Sequence, residues 1–260
     1  MIRLRQAWQR WRESRALARR AIPDALWRRT LKRFKFLPAQ GPDAEELRRL
    51  CSLFLDCKEF TGAQGLIVRD DMAVAIAAQA CLPILHLGLS VYDGFVGIVV
   101  HASSVRARRE AIDENGIVHT YDEVLSGEAV EGGPVTLSWR DVRGASHTAE
   151  DGYNVVIHEF AHVLDMGNGR LDAMPALPAA IDKALWAQTW SQAHATFNLQ
   201  VDQGQPTLLD PYGAESMEEF FAVAVEAFFV APTSLHRTDP ALYDLMRQYF
   251  SQDPLSRLNP

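Results

Sequence analysis

Three cysteines in 260 residues are too few to staple a fold. Cys51, Cys57 and Cys81 cannot all pair and none has C-x-x-C spacing, which points to a reducing, cytoplasmic setting. A bilayer-spanning segment is also missing. Residues 72–92 run for 21 positions without Asp, Glu, Lys or Arg, but Gln79, Pro83 and His86 interrupt them and the first half is rich in alanine. A buried helix ending near Pro83 is expected instead. The amino terminus has many arginines but no apolar core before a cleavage site, so no secretory leader is expected. Repeats and low-complexity tracts are lacking. What remains, 48% hydrophobic and 23% charged, suits one globular domain with a sizeable core, or a domain with an added arm.

Against that background one pentapeptide stands out, His158-Glu159-Phe160-Ala161-His162. Three aliphatic residues precede it, few helix breakers surround it, and both inner positions are apolar. Helical i, i+4 spacing puts His158 and His162 on one face, one turn apart, where two imidazoles can hold one Zn²⁺ at ~2.0–2.1 Å. Glu159 lies ~100° round from His158, beside the metal without chelating it, where a carboxylate can take a proton from an activated water. Three ionisable groups on an apolar helix are costly unless paired or metal-bound. The bland alternative is a helix whose histidines are satisfied by core hydrogen bonds.

A catalytic zinc needs a third protein ligand and an open position. Asp165 shares the face of His162 but lies seven residues from His158, ~10.5 Å along the axis. It reads better as a partner orienting a histidine, or as part of the helix end before Gly167-Asn168-Gly169. The better source is the apolar helix expected over 216–230, with carboxylates at 218, 219 and 226. Glu219 and Glu226 share a face two turns apart. A capping box with Ser216 would explain Glu219, but it leaves Glu226 among Val225, Ala227 and Phe228 unexplained. Glu219 is therefore the expected ligand, and Glu226 the carboxylate supporting the ligand shell.

The chain here resembles a known family, the Mlc titration factor A (MtfA) proteins. These are bacterial zinc-dependent peptidases, gluzincin-like, with an active site similar to that of the anthrax lethal factor catalytic domain. The resemblance rests on Cys81-Leu82-Pro83-Ile84-Leu85, Tyr92-Asp93-Gly94-Phe95, Gly116-Ile117-Val118-His119, Gly133-Pro134-Val135-Thr136-Leu137-Ser138-Trp139 and Gly152-Tyr153-Asn154-Val155-Val156-Ile157-His158-Glu159. It continues at Tyr212, Glu219-Phe220-Phe221-Ala222-Val223, Glu226-Ala227-Phe228-Phe229 and Gln252-Asp253-Pro254-Leu255. It spans roughly residues 45–258, and the first ~40 residues match nothing in the pattern. The resemblance implies zinc on His158, His162 and Glu219, Glu159 as general base and Tyr212 as oxyanion donor. It also draws in His119 as a displaceable metal ligand of a resting form, the alternative being a loop histidine in water. It implies a peptidase, of aminopeptidase type as family members are described, and a regulatory partner, a Mlc-like transcriptional repressor of sugar phosphotransferase genes. The competing functions are a non-catalytic repressor-sequestering protein with structural zinc and a membrane-recruited protease.

Charge is segregated. Residues 1–35 hold 12 Lys+Arg against Glu13 and Asp24, a net of +10; the whole chain is −7, so the rest carries −17. Leu4, Trp8 and Trp11 recur at i, i+4, i+7, as on one face of a basic amphipathic helix. Contact with an anionic membrane surface or nucleic acid is one reading, and an arm packing against the acidic body is the other. Pro38-Ala39-Gln40-Gly41-Pro42 is the expected hinge, dividing an arm (1–40) from a metallopeptidase domain (41–260). A helix is expected over 43–57, strands and turns over 95–140, then helices at 153–166, 179–198, 216–230 and 239–250. Gly97-Ile98-Val99-Val100-His101 or Pro134-Val135-Thr136-Leu137-Ser138-Trp139 are expected to supply a strand edge for substrate. The fold class is α+β, mainly helical with a small β-sheet.

Overall fold

The computed structural model describes residues 2–112, 118–130 and 132–258, with side chains at 11–104, 126–130, 132–149 and 151–257. Three helices open the chain: α1 (Ile2–Arg19), α2 (Asp24–Arg33) and α3 (Gly41–Cys57). Pro23 separates the first two, because its ring cannot continue a helix but is tolerated at a new start. The basic segment is not laid out wholly in solvent. Ile22, Leu26, Trp27, Phe34 and Leu37 are buried in the same core as Leu47, Leu50 and Phe54 of α3.

The chain then forms β1 (Glu59–Gly62), α4 (Asp70–Cys81), β2 (Gly97–His101), an antiparallel hairpin of β3 (Val105–Ile112) and β4 (Val118–Leu125), β5 (Gly127–Ala129) and β6 (Val135–Ser138). The main sheet has the order β1-β2-β6-β5, parallel except for β5, which pairs antiparallel with β6 through Glu128 and Thr136. α4 is the crossover joining two parallel strands. It ends at Cys81, as expected from Pro83. Nine of its residues are buried from Met72 to Cys81, so its apolar run faces core on nearly all sides. Among the described residues no helix is long and apolar enough to cross a membrane.

Helices dominate the second half: α5 (Trp139–Thr148), α6 (Val155–Asp165), α7 (Lys183–Asp202), α8 (Met217–Val230), α9 (Pro232–Thr238), α10 (Pro240–Phe250) and α11 (Pro254–Leu258). The class is α+β, as expected. Two local features have plain causes. Trp139 opens α5 instead of closing a strand, because Ser138 caps it by accepting the Asp141 N–H. Pro232, the expected terminator of α8, sits in the first turn of α9, where its missing N–H costs nothing.

α6 and α8 pack side by side in the middle of the core. Phe160 of α6 meets Phe54, Tyr92 and Phe95 at ring-centroid distances of 5.7, 5.0 and 5.6 Å. Phe220 and Phe221 of α8 meet Trp190 of α7 at 5.8 and 5.0 Å. Aromatic packing on both outer sides thus holds the two polar-bearing helices against each other.

Candidate active site

α6 starts at Asn154, an extended residue whose Oδ1 accepts the Ile157 N–H at 3.0 Å. The same side chain donates through Nδ2 to Gln79 Oε1 at 2.9 Å, and Gln79 Nε2 donates to the Ala75 carbonyl at 3.0 Å. The Asn154 backbone N–H donates to Glu226 Oε2, and Glu226 Oε1 accepts from His158 Nδ1 at 2.7 Å. A buried polar chain therefore runs from α4 through the start of α6 to α8 and ends on an imidazole. With Nδ1–H committed to Glu226, the neutral ring presents its Nε2 lone pair to the cleft, a tautomer assigned from the hydrogen-bond network.

Three atoms converge there. His158 Nε2 lies 3.3 Å from His162 Nε2 and 3.1 Å from Glu219 Oε2, and His162 Nε2 lies 3.5 Å from the same oxygen. Tetrahedral coordination at ~2.0–2.1 Å from a metal gives ligand–ligand edges of ~3.3 Å. The donor set fits a zinc-sized cation in both chemistry and spacing, and these three residues form the metal-capable cluster among the described residues. Ser216 caps α8 by accepting the Glu219 N–H at 3.2 Å. The Glu219 carboxylate, however, turns to the two histidines, so the capping box is only half made.

The electrostatics follow from burial and crowding. Burial opposes charging of His158, but Glu226, with Glu219 and Glu159, overcomes it and raises its pKa well above the usual value. Burial likewise tends to raise Glu219, but its close contacts with the His158 and His162 imidazoles pull it down to about 2. Burial raises Glu226 despite its His158 partner. Glu159, 5% exposed, rises to about 8, mainly through burial; His158 opposes this while Glu219 and Glu226 add to it.

The remaining expected residues are placed as follows. Glu159 lines the cleft against β5, where a Cβ at Gly127 would come within 2.3 Å of its Oε1. Tyr212 sits on the cleft rim, its ring 6.4 Å from that of His158. Asp165 accepts the Ala173 N–H through Oδ2 at 2.9 Å, whereas its Oδ1 and His162 Nδ1 each lack a hydrogen-bond partner. It therefore holds the loop after α6, and no bond joins it to His162. His119 falls on β4 opposite Ala111, and its side chain lies outside the described residues. The strand-edge expectation needs correcting. β2 and β6 are flanked on both sides, and the edge beside the metal cluster is β5. Three residues with no hydrophobic alternation gave it no sequence signal.

The cleft has a volume of about 640 Å³. Beyond the converging set its lining includes Glu128, Asp210, Glu215 and Glu218, and no Lys or Arg among the described residues. A model of the glucose-regulated metallo-peptidase M90 family matches residues 8–251. The chain belongs to this family. The match reaches well into the basic segment that the motif comparison left unplaced. An uncharacterized protein of Synechocystis sp. is 32% identical over 251 residues, covering 95% of this chain and 90% of its own. Proteins called Mlc titration factor A from Yersinia pestis and Yersinia pseudotuberculosis are 33% identical over 237 residues, 90% of this chain and 87% of theirs.

Membership of a metallopeptidase family accounts for a metal-capable cluster at the floor of an open cleft. Sequence reasoning missed Gln79, Asn154 and Gly127. Asn154 carried a usable signal, an N-cap residue just ahead of an apolar-periodic run. Gln79 looked like a polar interruption, and its partner 75 residues away is visible only in the fold.

Proposed function

We propose that this M90 family member is a zinc-dependent peptidase whose metal is held by His158, His162 and Glu219. The observation that carries the reading is the approach of three lone-pair donors to 3.1–3.5 Å of one another. Without a shared cation or proton, those lone pairs would repel. Zinc supplies Lewis acidity, polarising a carbonyl and making water acidic near neutral pH. Glu226 orients His158 and fixes its tautomer. The Glu159 carboxylate takes a proton from the attacking water and returns it to the leaving amine. Its apolar burial suits it to hold that proton between the two steps. The Tyr212 hydroxyl donates to the carbonyl oxygen as that oxygen gains charge. Gly127, Glu128 and Ala129 of β5 offer backbone groups along which an extended peptide can pair.

The carboxylate-rich lining supports an aminopeptidase preference, because a free α-amino group (pKa ~7.7–8.0) brings positive charge to the cleft. A cytoplasmic setting agrees with the three free cysteines. A second reading, binding of a Mlc-like repressor, draws on the name of the Yersinia relatives; a binder needs the cluster only for its structure. Glu159→Gln separates the two. Hydrolysis of a peptide library should fall by at least ~10²-fold with zinc retained. Wild-type hydrolysis by this variant would rule out the peptidase assignment.

A further inference from the structure

α1 presents to solvent a face that the metal cleft does not use. The helix packs on α3 through Glu13, which pairs with Arg49, and through Ala16, which is buried. Arg19 closes the contact with a two-pronged pair to Asp56, both bonds at 2.7 Å. At 100° per residue, position 11 lies ~140–160° round the helix from positions 13 and 16. Trp11 accordingly points away from the body and is 54% exposed, with the Arg15 guanidinium 4.9 Å over its ring. Helical spacing sets positions 4 and 8, a leucine and a tryptophan in the sequence, within ~60° of Trp11.

The surroundings are cationic. Every described lysine and arginine between residues 12 and 35 is exposed, and residues 1–35 carry a net +10 by sequence against −17 for the rest of the chain. The segment is anchored, because Ile22, Leu26, Trp27 and Phe34 are buried in the core. A helix that turns Trp11 outward among exposed arginines has the chemistry of an interfacial helix on anionic lipid.

We propose that the outward face of α1, centred on Trp11 and Arg15, docks the protein on an anionic bilayer surface, with the Trp11 ring at headgroup level. A nucleic-acid backbone would use the cations but leave the exposed Trp11 ring unmatched, so lipid fits the described face better.

The test is co-sedimentation of the full chain with vesicles of phosphatidylcholine alone or with one third phosphatidylglycerol, at low and high salt. Binding is expected on the anionic vesicles only, weakening as salt rises. Each cation near the surface accounts for a factor of ~5, so Arg12→Gln with Arg15→Gln should lower partitioning roughly 20- to 30-fold. Trp11→Ala should lower it at both salt concentrations. Absence of binding at low salt, equal binding to neutral vesicles, or wild-type binding by these variants would each overturn the proposal. So would tight binding of duplex DNA or self-association by a chain that ignores the vesicles.

Discussion

Gly127 and Glu159 meet so closely that the absence of one side chain determines where the other can rest. A Cβ at 127 would lie 2.3 Å from Oε1 and 2.6 Å from Cδ and Cγ of Glu159. Gly127→Ala should push the carboxylate aside while leaving the histidines in place. A ~1 Å displacement of a catalytic group can cost ~100-fold in rate, so kcat should fall on that order with zinc content unchanged; wild-type kcat would show that the carboxylate has room to spare. Asp165 allows a pH test. Burial, only partly offset by the Ala173 N–H, raises its pKa from 3.8 to about 6. The folded state then binds more protons than the unfolded state between those values. The stabilising contribution is present below pH 3.8 and is lost as pH rises through about 6. Chemical denaturation of wild type and Asp165→Asn across that range should show wild type losing ground to the variant as pH rises. A constant difference would mean that Asp165 titrates alike in the folded and unfolded states, with its pKa not raised by folding.

At the scale of elements, α6 and α8 had the most readable sequences. Their apolar stripes, the N-caps Asn154 and Ser216 and the breaker at Ala231-Pro232 are local signals, and the helices run within two residues of expectation. The pairing of Glu219 and Glu226 on one face was readable for the same reason, since i, i+7 spacing is a property of the helix alone. What joins the helices was not local. Gln79 and Asn154 bridge α4 and α6 across 75 residues, and only packing brings them together. Asn154→Ala would remove the cap of α6, worth ~1 kcal/mol, and leave the buried Gln79 amide oxygen without a donor, at a further ~1–3 kcal/mol. An unfolding free energy, measured by urea titration, lowered by roughly 2–4 kcal/mol is expected. A loss no greater than that of an exposed cap would mean that the bridge contributes nothing.

Across the whole molecule, composition and periodicity made the α+β class and the helix order legible, whereas sheet topology was not. β5 is three residues long, and its position at the edge depends on β6 pairing with β2 on its other side. The two halves of the basic segment also part company in a way that charge counting could not show. α2 sends Leu26, Trp27 and Thr30 inward, while α1 keeps Trp11 outside. The candidate centre lies where three distant pieces meet: α6, α8 and the short edge strand. Burying so many carboxylates beside two imidazoles is unfavourable unless a cation offsets it.

The most direct measurement is zinc per chain in the purified protein, compared between wild type and Glu219→Ala. One zinc per wild-type chain and a sharp loss in the variant are expected, with Glu159→Gln still loaded. Full zinc occupancy in Glu219→Ala would contradict the three-residue centre and return the search for the third ligand to Asp165.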